Sequence, residues 1–197
     1  MKNPYVLDID AESKYTMAQE SLRYGLIDLL NEKSIEQVSV KELCQKSSVA
    51  RSTFYAYYNN VKDLLVETED WFIAQLSKLD QNITDPANFK NPQDFGYFYT
   101  LLHFIEGKKE LLTALVIKNY DHELVEKWKL AIKSNLFKRI QPQKFDLTAD
   151  LLFEMLASEV ISAFIFYLQH LNEKDSLPPE QILQIIANKL ADFKAYF

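Results

Sequence analysis

The chain has 197 residues, 48% of them hydrophobic and 13% aromatic, with a formal net charge of -6. That excludes a disordered chain, which needs low hydrophobicity with high charge, and it suits one sizeable core or two small ones. With 3 glycines and 6 prolines the sequence lacks the turn chemistry of hairpin-rich sheets, so an all-α fold is expected, and the acidic balance restricts any DNA contact to a local basic patch.

Over 13–33, apolar residues fall at Met17, Leu22, Leu26, Leu29 and Leu30, mostly three or four apart, which predicts an amphipathic helix. Thr16 and Gln19 have capping-box spacing, although Asp10 or Ser13 could equally start the helix. The preceding M-K-N-P-Y-V-L-D-I-D-A-E breaks its apolar residues with acids and does not read as a signal peptide. No uninterrupted apolar run approaches the ~18–20 residues of a membrane span. Cys44 is the one cysteine, set in an apolar helical pattern, so a reduced, cytoplasmic setting with no membrane partner is expected.

A short connection around 34–39 leads into K-E-L-C-Q-K. Ser39 can N-cap this helix, Ser47 or Ser48 can end it, and 50–57 suits a second short helix. Asn59 or Asn60 then caps a long helix to about Ser77, striped by Val61, Leu64, Leu65, Thr68, Phe72 and Leu76. The segment I-T-D-P-A-N-F-K-N-P-Q is the clearest loop. Helical patterns recur at 94–107, 109–119, 122–140, 148–172 and 179–196, the last accepting Pro179 in its first turn.

The stretch V-S-V-K-E-L-C-Q-K-S-S-V-A-R-S-T-F-Y-A-Y-Y-N-N-V-K-D-L-L has the order of a helix-turn-helix. Val40, Leu43 and Val49 should be core, with Phe54 and Tyr58 inward from the second helix. The opposite face then carries Arg51, Ser52, Thr53, Tyr55, Ala56 and Tyr57, a set able to meet phosphates and base edges. Lys41, Lys46, Arg51 and Lys62 against Glu42 make this stretch locally basic. A tyrosine cluster at helical spacing is more often packing than recognition. Here Phe54 and Tyr58 already fill the inward positions, which releases Tyr55 and Tyr57.

With R-S-T-F-Y-A-Y-Y followed by K-D-L-L, residues 13–65 resemble the TetR/AcrR type of bacterial regulators. R-S-T-F-Y after E-K-S-I-E-Q-V-S-V is most similar to the branch of regulators akin to the dihydroxyacetone kinase activator. The resemblance implies that Thr53, Tyr55 and Tyr57 meet DNA backbone or bases, and that Ser39 and Lys41 begin a phosphate-contacting helix. Three positions depart from the pattern. Ser34 and Ser48 stand where glycine is common, and Val61 stands where the family often has lysine. Lys62 is then the substitute phosphate contact, one residue and about 100° of helix away.

In the second half, D-F-G-Y-F-Y-T-L-L-H-F-I-E-G is dense in aromatics. Tyr97, Tyr99 and His103 offer polar tips for an effector pocket, and Trp128 either faces them or covers the surface. The segment L-L-F-E-M-L-A-S-E-V-I-S-A-F-I-F-Y-L-Q-H-L is apolar nearly all round, which implies burial on several sides. Ser158 and Ser162, beside Ala157 and Ala163, allow a close helix approach. With Phe166, Ile182 and Ile186 they are the expected homodimer interface, a four-helix contact across a two-fold axis that the resemblance also implies. Glu159 either binds a polar effector group or pairs at the interface edge.

His103, His122 and His170 lack the spacing of a helical metal pair, and no Gly-rich phosphate loop, G-x-S-x-G or H-E-x-x-H is present. No cofactor, metal or catalytic role is expected. The functional expectation is a DNA-binding transcription repressor, with residues 1–65 as reading domain and 66–197 as effector and dimerisation domain, acting on a double-stranded operator under a small-molecule effector. A helical adaptor that binds a protein partner is the alternative. A small enzyme using Glu159 and His103 is a remote one.

Overall fold

The computed structural model describes residues 2–7, 9, 14–81, 96–171, 173, 177–194 and 196, without the side chains of 80, 81, 96–99, 191 and 194. Every regular element among them is helical. Contacts divide the chain into two compact units, one from Ile9–Gln75 with Lys108–Leu124, the other from Met1–Asp8, Leu76–Gly107 and Val125–Phe197.

In the first unit, α1 (Met17–Leu30) begins at Thr16. The Thr16 hydroxyl accepts from the Gln19 N–H at 3.3 Å while Gln19 Oε1 accepts from the Thr16 N–H at 3.1 Å, so two orphan amides are satisfied reciprocally. Asp10 and Ser13, the other candidate starts, lie outside the described residues. Ser39 caps α2 (Val40–Lys46), accepting from the Glu42 N–H at 3.2 Å. The far end of α2 closes as a Schellman turn: Ser48 N–H donates to Gln45 O at 3.3 Å and Val49 N–H to Cys44 O at 3.0 Å, with Ser48 at φ 55. α3 (Arg51–Tyr57) follows at once. Of the two asparagines, Asn60 caps α4 (Val61–Gln81), accepting from the Asp63 N–H at 3.1 Å; Asp63 in turn accepts from the Asn59 N–H at 2.9 Å.

Leu22, Leu26, Leu43, Phe54 and Leu64 are fully buried, and α1 packs on both α2 and α3. Gly25 makes the close approach possible, since a Cβ there would stand 2.1 Å from Ser47 Oγ. Arg23 is 1% exposed and donates to Glu67 Oε1 at 2.9 Å. Its guanidinium lies 4.4 Å from the Tyr15 ring centre and 4.5 Å from that of Trp71. Glu67 Oε2 also accepts from Tyr58 Oη at 2.7 Å and Gln19 Nε2 at 3.0 Å. Removing one partner of a buried pair costs about 3–5 kcal/mol, against about 0–1 kcal/mol for an exposed bridge. This cluster, rather than the exposed Lys46–Asp28 pair at 3.5 Å, therefore locks α1, α4 and the end of α3 together.

The predicted helix over 109–119 is instead a short α6 (Lys109–Leu112) running into a π turn, Thr113–Lys118. The turn closes with Asp121 N–H on Leu115 O at 2.8 Å and Tyr120 at φ 48. Asn119 Nδ2 donates to Leu30 O at 2.8 Å and to Ala114 O at 2.7 Å, fastening the turn to the end of α1.

The second unit holds α5 (Gly96–Gly107), most of α7 (His122–Ile140), α8 (Leu147–His170) and α9 (Pro179–Lys194). Asp146 caps α8, accepting from the Ala149 N–H at 3.1 Å. α8 packs on α5 and α9, Phe153 meeting Phe193 of α9 edge-on at 5.0 Å, and its Phe153, Ala157 and Phe164 are all at 0% exposure. It is long and apolar enough, by length and composition alone, to cross a membrane, a property hidden from a search for uninterrupted apolar runs because Glu154 and Glu159 break it. Nearly half of its most apolar window is buried. The amino-terminal residues dock here too. The Tyr5 ring packs among Phe137, Phe145 and Phe153 at 5.6–6.2 Å, and its hydroxyl donates to Asp150 Oδ1 at 2.6 Å.

Candidate nucleic-acid interface

The physical problem at α3 is to hold a seven-residue helix, too short to be stable alone, with one face outward. Phe54 and Tyr58 solve it. Phe54 is 0% and Tyr58 5% exposed. The Tyr58 hydroxyl donates to Glu67, and burial followed by that bond pushes its ionisation well above the ordinary tyrosine range. The inward expectation holds less well for Val40 and Val49, which are only half-buried; Val38, in the preceding connection, is buried instead.

With that face anchored, Arg51, Ser52, Tyr55, Ala56 and Tyr57 are exposed and Thr53 is half-buried. Tyr55 is 58% exposed and stands edge-on to Phe54, ring centres 5.3 Å apart at 86°. Ser39 and Lys41 are exposed at the start of α2, Ser39 with its hydroxyl already accepting the capping bond. At the start of α4, Val61 is buried and Lys62 exposed.

The local charge is rearranged relative to a simple count. Lys33 takes the Glu42 carboxylate, and Lys46 faces Asp28. Lys41, Arg51 and Lys62 make no salt bridge among the described residues. All three belong to the predicted interface, Lys62 standing near enough to Glu36 to favour its ionised carboxylate.

Of the residues expected at an effector site, His103, Trp128 and Glu159 are described, and each has its own separate surroundings. Tyr97 and Tyr99 lie on α5 with side chains outside the described residues. The His103 side chain is 91% exposed, 3.8 Å from Glu106. Trp128 is 1% exposed, a core residue stacked on Phe164 at 6.4 Å and 8°. Glu159 is exposed and 3.7 Å from Lys189.

Of the expected interface residues, Ser158, Ser162 and Ile186 line one groove of about 410 Å³ between α8 and α9, with Glu159, Ile185 and Lys189. Phe166 is 46% exposed, whereas Ile182, at 3%, points into its own unit. The outward residues are Leu147, Leu151 and Met155 on α8 and Ile185 on α9, each half-exposed or more. Their signal was the four-residue spacing of 147, 151 and 155, lost within a helix apolar on every side.

No family model matches the chain. No curated protein matches it. Solved structures do. The TetR transcriptional regulator from Streptococcus agalactiae 2603V superposes with a TM-score of 0.64 at 20% identity, over 88% of this chain and 93% of that one. A tetR-family transcriptional regulator from Streptomyces coelicolor gives 0.61 at 15%, over 90% and 83%. The dihydroxyacetone kinase operon activator DhaS gives 0.56 at 18%, over 91% and 97%. The chain has the TetR-type fold, all-helical, with an amino-terminal helix-turn-helix and a carboxy-terminal helical region.

Proposed function

We propose that this protein is a DNA-binding transcription regulator that works as a homodimer, residues 1–65 reading a double-stranded operator and 66–197 supplying dimerisation and effector response. The observation that carries the reading is α3: a helix anchored by Phe54 and Tyr58 that turns Arg51, Ser52, Tyr55, Ala56 and Tyr57 outward, flanked by Lys41 and Lys62. An outward short helix after a tight turn is the geometry that enters a major groove, with cations placed for phosphates. Repression follows if the operator overlaps a promoter, and a small molecule that prefers one state of the dimer relieves it.

The test is selection of binding sites from random duplex DNA by the purified full chain. A two-fold-symmetric site, its halves one helical turn or a multiple apart, is the expected result. Replacing Arg51 and Tyr55 together by alanine should then weaken that site by about 100-fold, because each good contact is worth about 1–3 kcal/mol, while both side chains are exposed and the melting temperature stays put. Failure to enrich any sequence overturns the reading and leaves the protein-binding adaptor.

A further inference from the structure

We propose that the aromatic slot holding Tyr5 is a binding site for small electron-rich phenols, which the chain fills with its own tyrosine and which a free phenol enters by displacing it. The slot lies within the second unit. Its walls are Phe137, Phe145 and Phe153, whose ring centres stand 6.2, 5.8 and 5.6 Å from that of Tyr5. The Tyr5 hydroxyl donates to Asp150 Oδ1 at 2.6 Å, and Lys133 Nζ lies 4.6 Å from the ring centre. Each contact sets a property of the occupant. Edge-on and tilted rings select an aromatic body. Asp150 takes a hydrogen-bond donor and repels an anion, while Lys133 beside it repels a cation, so the donor must be neutral. The ammonium over the ring favours an electron-rich one. Together these describe a phenol.

The resident occupant is presented by little chain. Tyr5 is buried, whereas Lys2, Pro4 and Val6 around it are exposed. An Asx turn shapes the arm: Asn3 Oδ1 accepts from the Tyr5 N–H at 3.0 Å across Pro4, and Asn3 Nδ2 donates to Ser134 Oγ at 3.0 Å. Phe145 is half-buried and the Asp150 side chain 46% exposed, so lifting the arm opens the slot to solvent on that side. A side chain on a short tether acts as its own ligand at an effective concentration in the millimolar range. Tyr5 carries the 4-alkylphenol group of p-cresol. Free p-cresol therefore competes once it reaches that range, and a phenol with further contacts does so at less.

This deepens the effector half of the proposed function and rests on that reading only for its consequence. Met1–Asp8 cluster with the second unit, and the chain passes at Ile9 into the first, where Thr16 caps α1. A phenol that releases Tyr5 removes the anchor of that passage. The binding itself is independent of DNA.

The experiment labels the full chain with fluorotyrosine, assigns the Tyr5 fluorine resonance by its absence from Tyr5→Phe, and titrates in p-cresol or 4-methylbenzoate. The expected result is that p-cresol moves this resonance to its solvent-exposed position with a saturable midpoint on the order of 10 mM or below, while 4-methylbenzoate leaves it in place. Tyr5→Ala empties the slot and should bind p-cresol in calorimetry with a Kd on the order of 1 mM or tighter. Toluene, which lacks the hydroxyl, and 4-methylbenzoate should bind that variant at least about tenfold more weakly. Bound p-cresol should also return part of the melting temperature that the substitution removes. If Tyr5→Ala does not fold, the wild-type titration decides alone. A Tyr5 resonance unmoved by p-cresol up to about 20 mM overturns the proposal. So does binding of toluene or 4-methylbenzoate to Tyr5→Ala as tight as that of p-cresol. Sites selected from random DNA without any phenol report separately on the regulator reading.

Discussion

Ser48 sits in left-handed backbone at φ 55, where an L side chain pays about 1–2 kcal/mol. Glycine would remove that strain but give back about 0.5–1 kcal/mol in unfolded-state entropy. The balance favours glycine, so Ser48→Gly should raise unfolding stability by about 0.5–1 kcal/mol, read as a higher urea midpoint at unchanged slope; a fall would show that the serine side chain compensates its own strain. The position was visible in the sequence as a serine where glycine is common. Ser34 gave the same signal and has a different physical answer, because its backbone is extended (φ -75) and its N–H donates to Gln37 Oε1 at 3.1 Å. No glycine is needed there. Val61 shows a third outcome: it is core, and the cation stands one residue on at Lys62.

Helix positions were the most legible elements, because capping residues and apolar spacing are local. Ser39 caps where capping chemistry placed it, and Thr16 and Asn60 are each one of the alternatives that chemistry left open. What sequence spacing could not show was which elements share a face in space. Trp128 belongs to the core because α8 brings Phe164 against it, and Tyr5 is buried because α7 and α8 together build an aromatic slot, through contacts that for Tyr5 are more than a hundred residues apart in sequence. That slot is linked to charge. Tyr5 first, then Lys133, holds the Asp150 carboxyl below the usual range, and Lys133 with Lys129 does so for Glu154. A depressed folded value means stability that is present above the unfolded value near pH 4 and lost as pH falls through the folded one. Both carboxylates are more than a third exposed, at 46% and 39%, so solvent screens the effect. The melting temperature should therefore drop modestly from about pH 5 to about pH 3, and Tyr5→Phe, which deletes the hydroxyl donor, should flatten that drop. An unaltered acid profile in Tyr5→Phe would remove Asp150 from the account.

The assembled molecule is where the exposed apolar row matters. Leu147, Leu151 and Met155 repeat every four residues along α8, and Phe166 continues the row beyond Ser158 and Ser162, with Ile185 beside the groove on α9. An apolar row of this length, about 28 Å at 1.5 Å per residue, is the kind of exposed surface that marks an interaction site. A second copy meeting it across a two-fold axis would cover the same residues on both chains. Leu151→Glu with Met155→Glu puts two charges on each side of that contact and should give a monomer in sedimentation at micromolar concentration, with the helical circular dichroism retained because both side chains are already exposed. The consequence reaches the DNA. A dimer carries Lys41, Arg51 and Lys62 twice, so if all six cations meet phosphates the logarithm of affinity should fall with the logarithm of salt at a slope of about -5. The monomeric variant should show about half that slope and no preference for a two-fold site. A dimer that persists in the double variant would move the interface elsewhere, and a full slope from the monomer would mean that the cations counted here are not the ones that meet the phosphates.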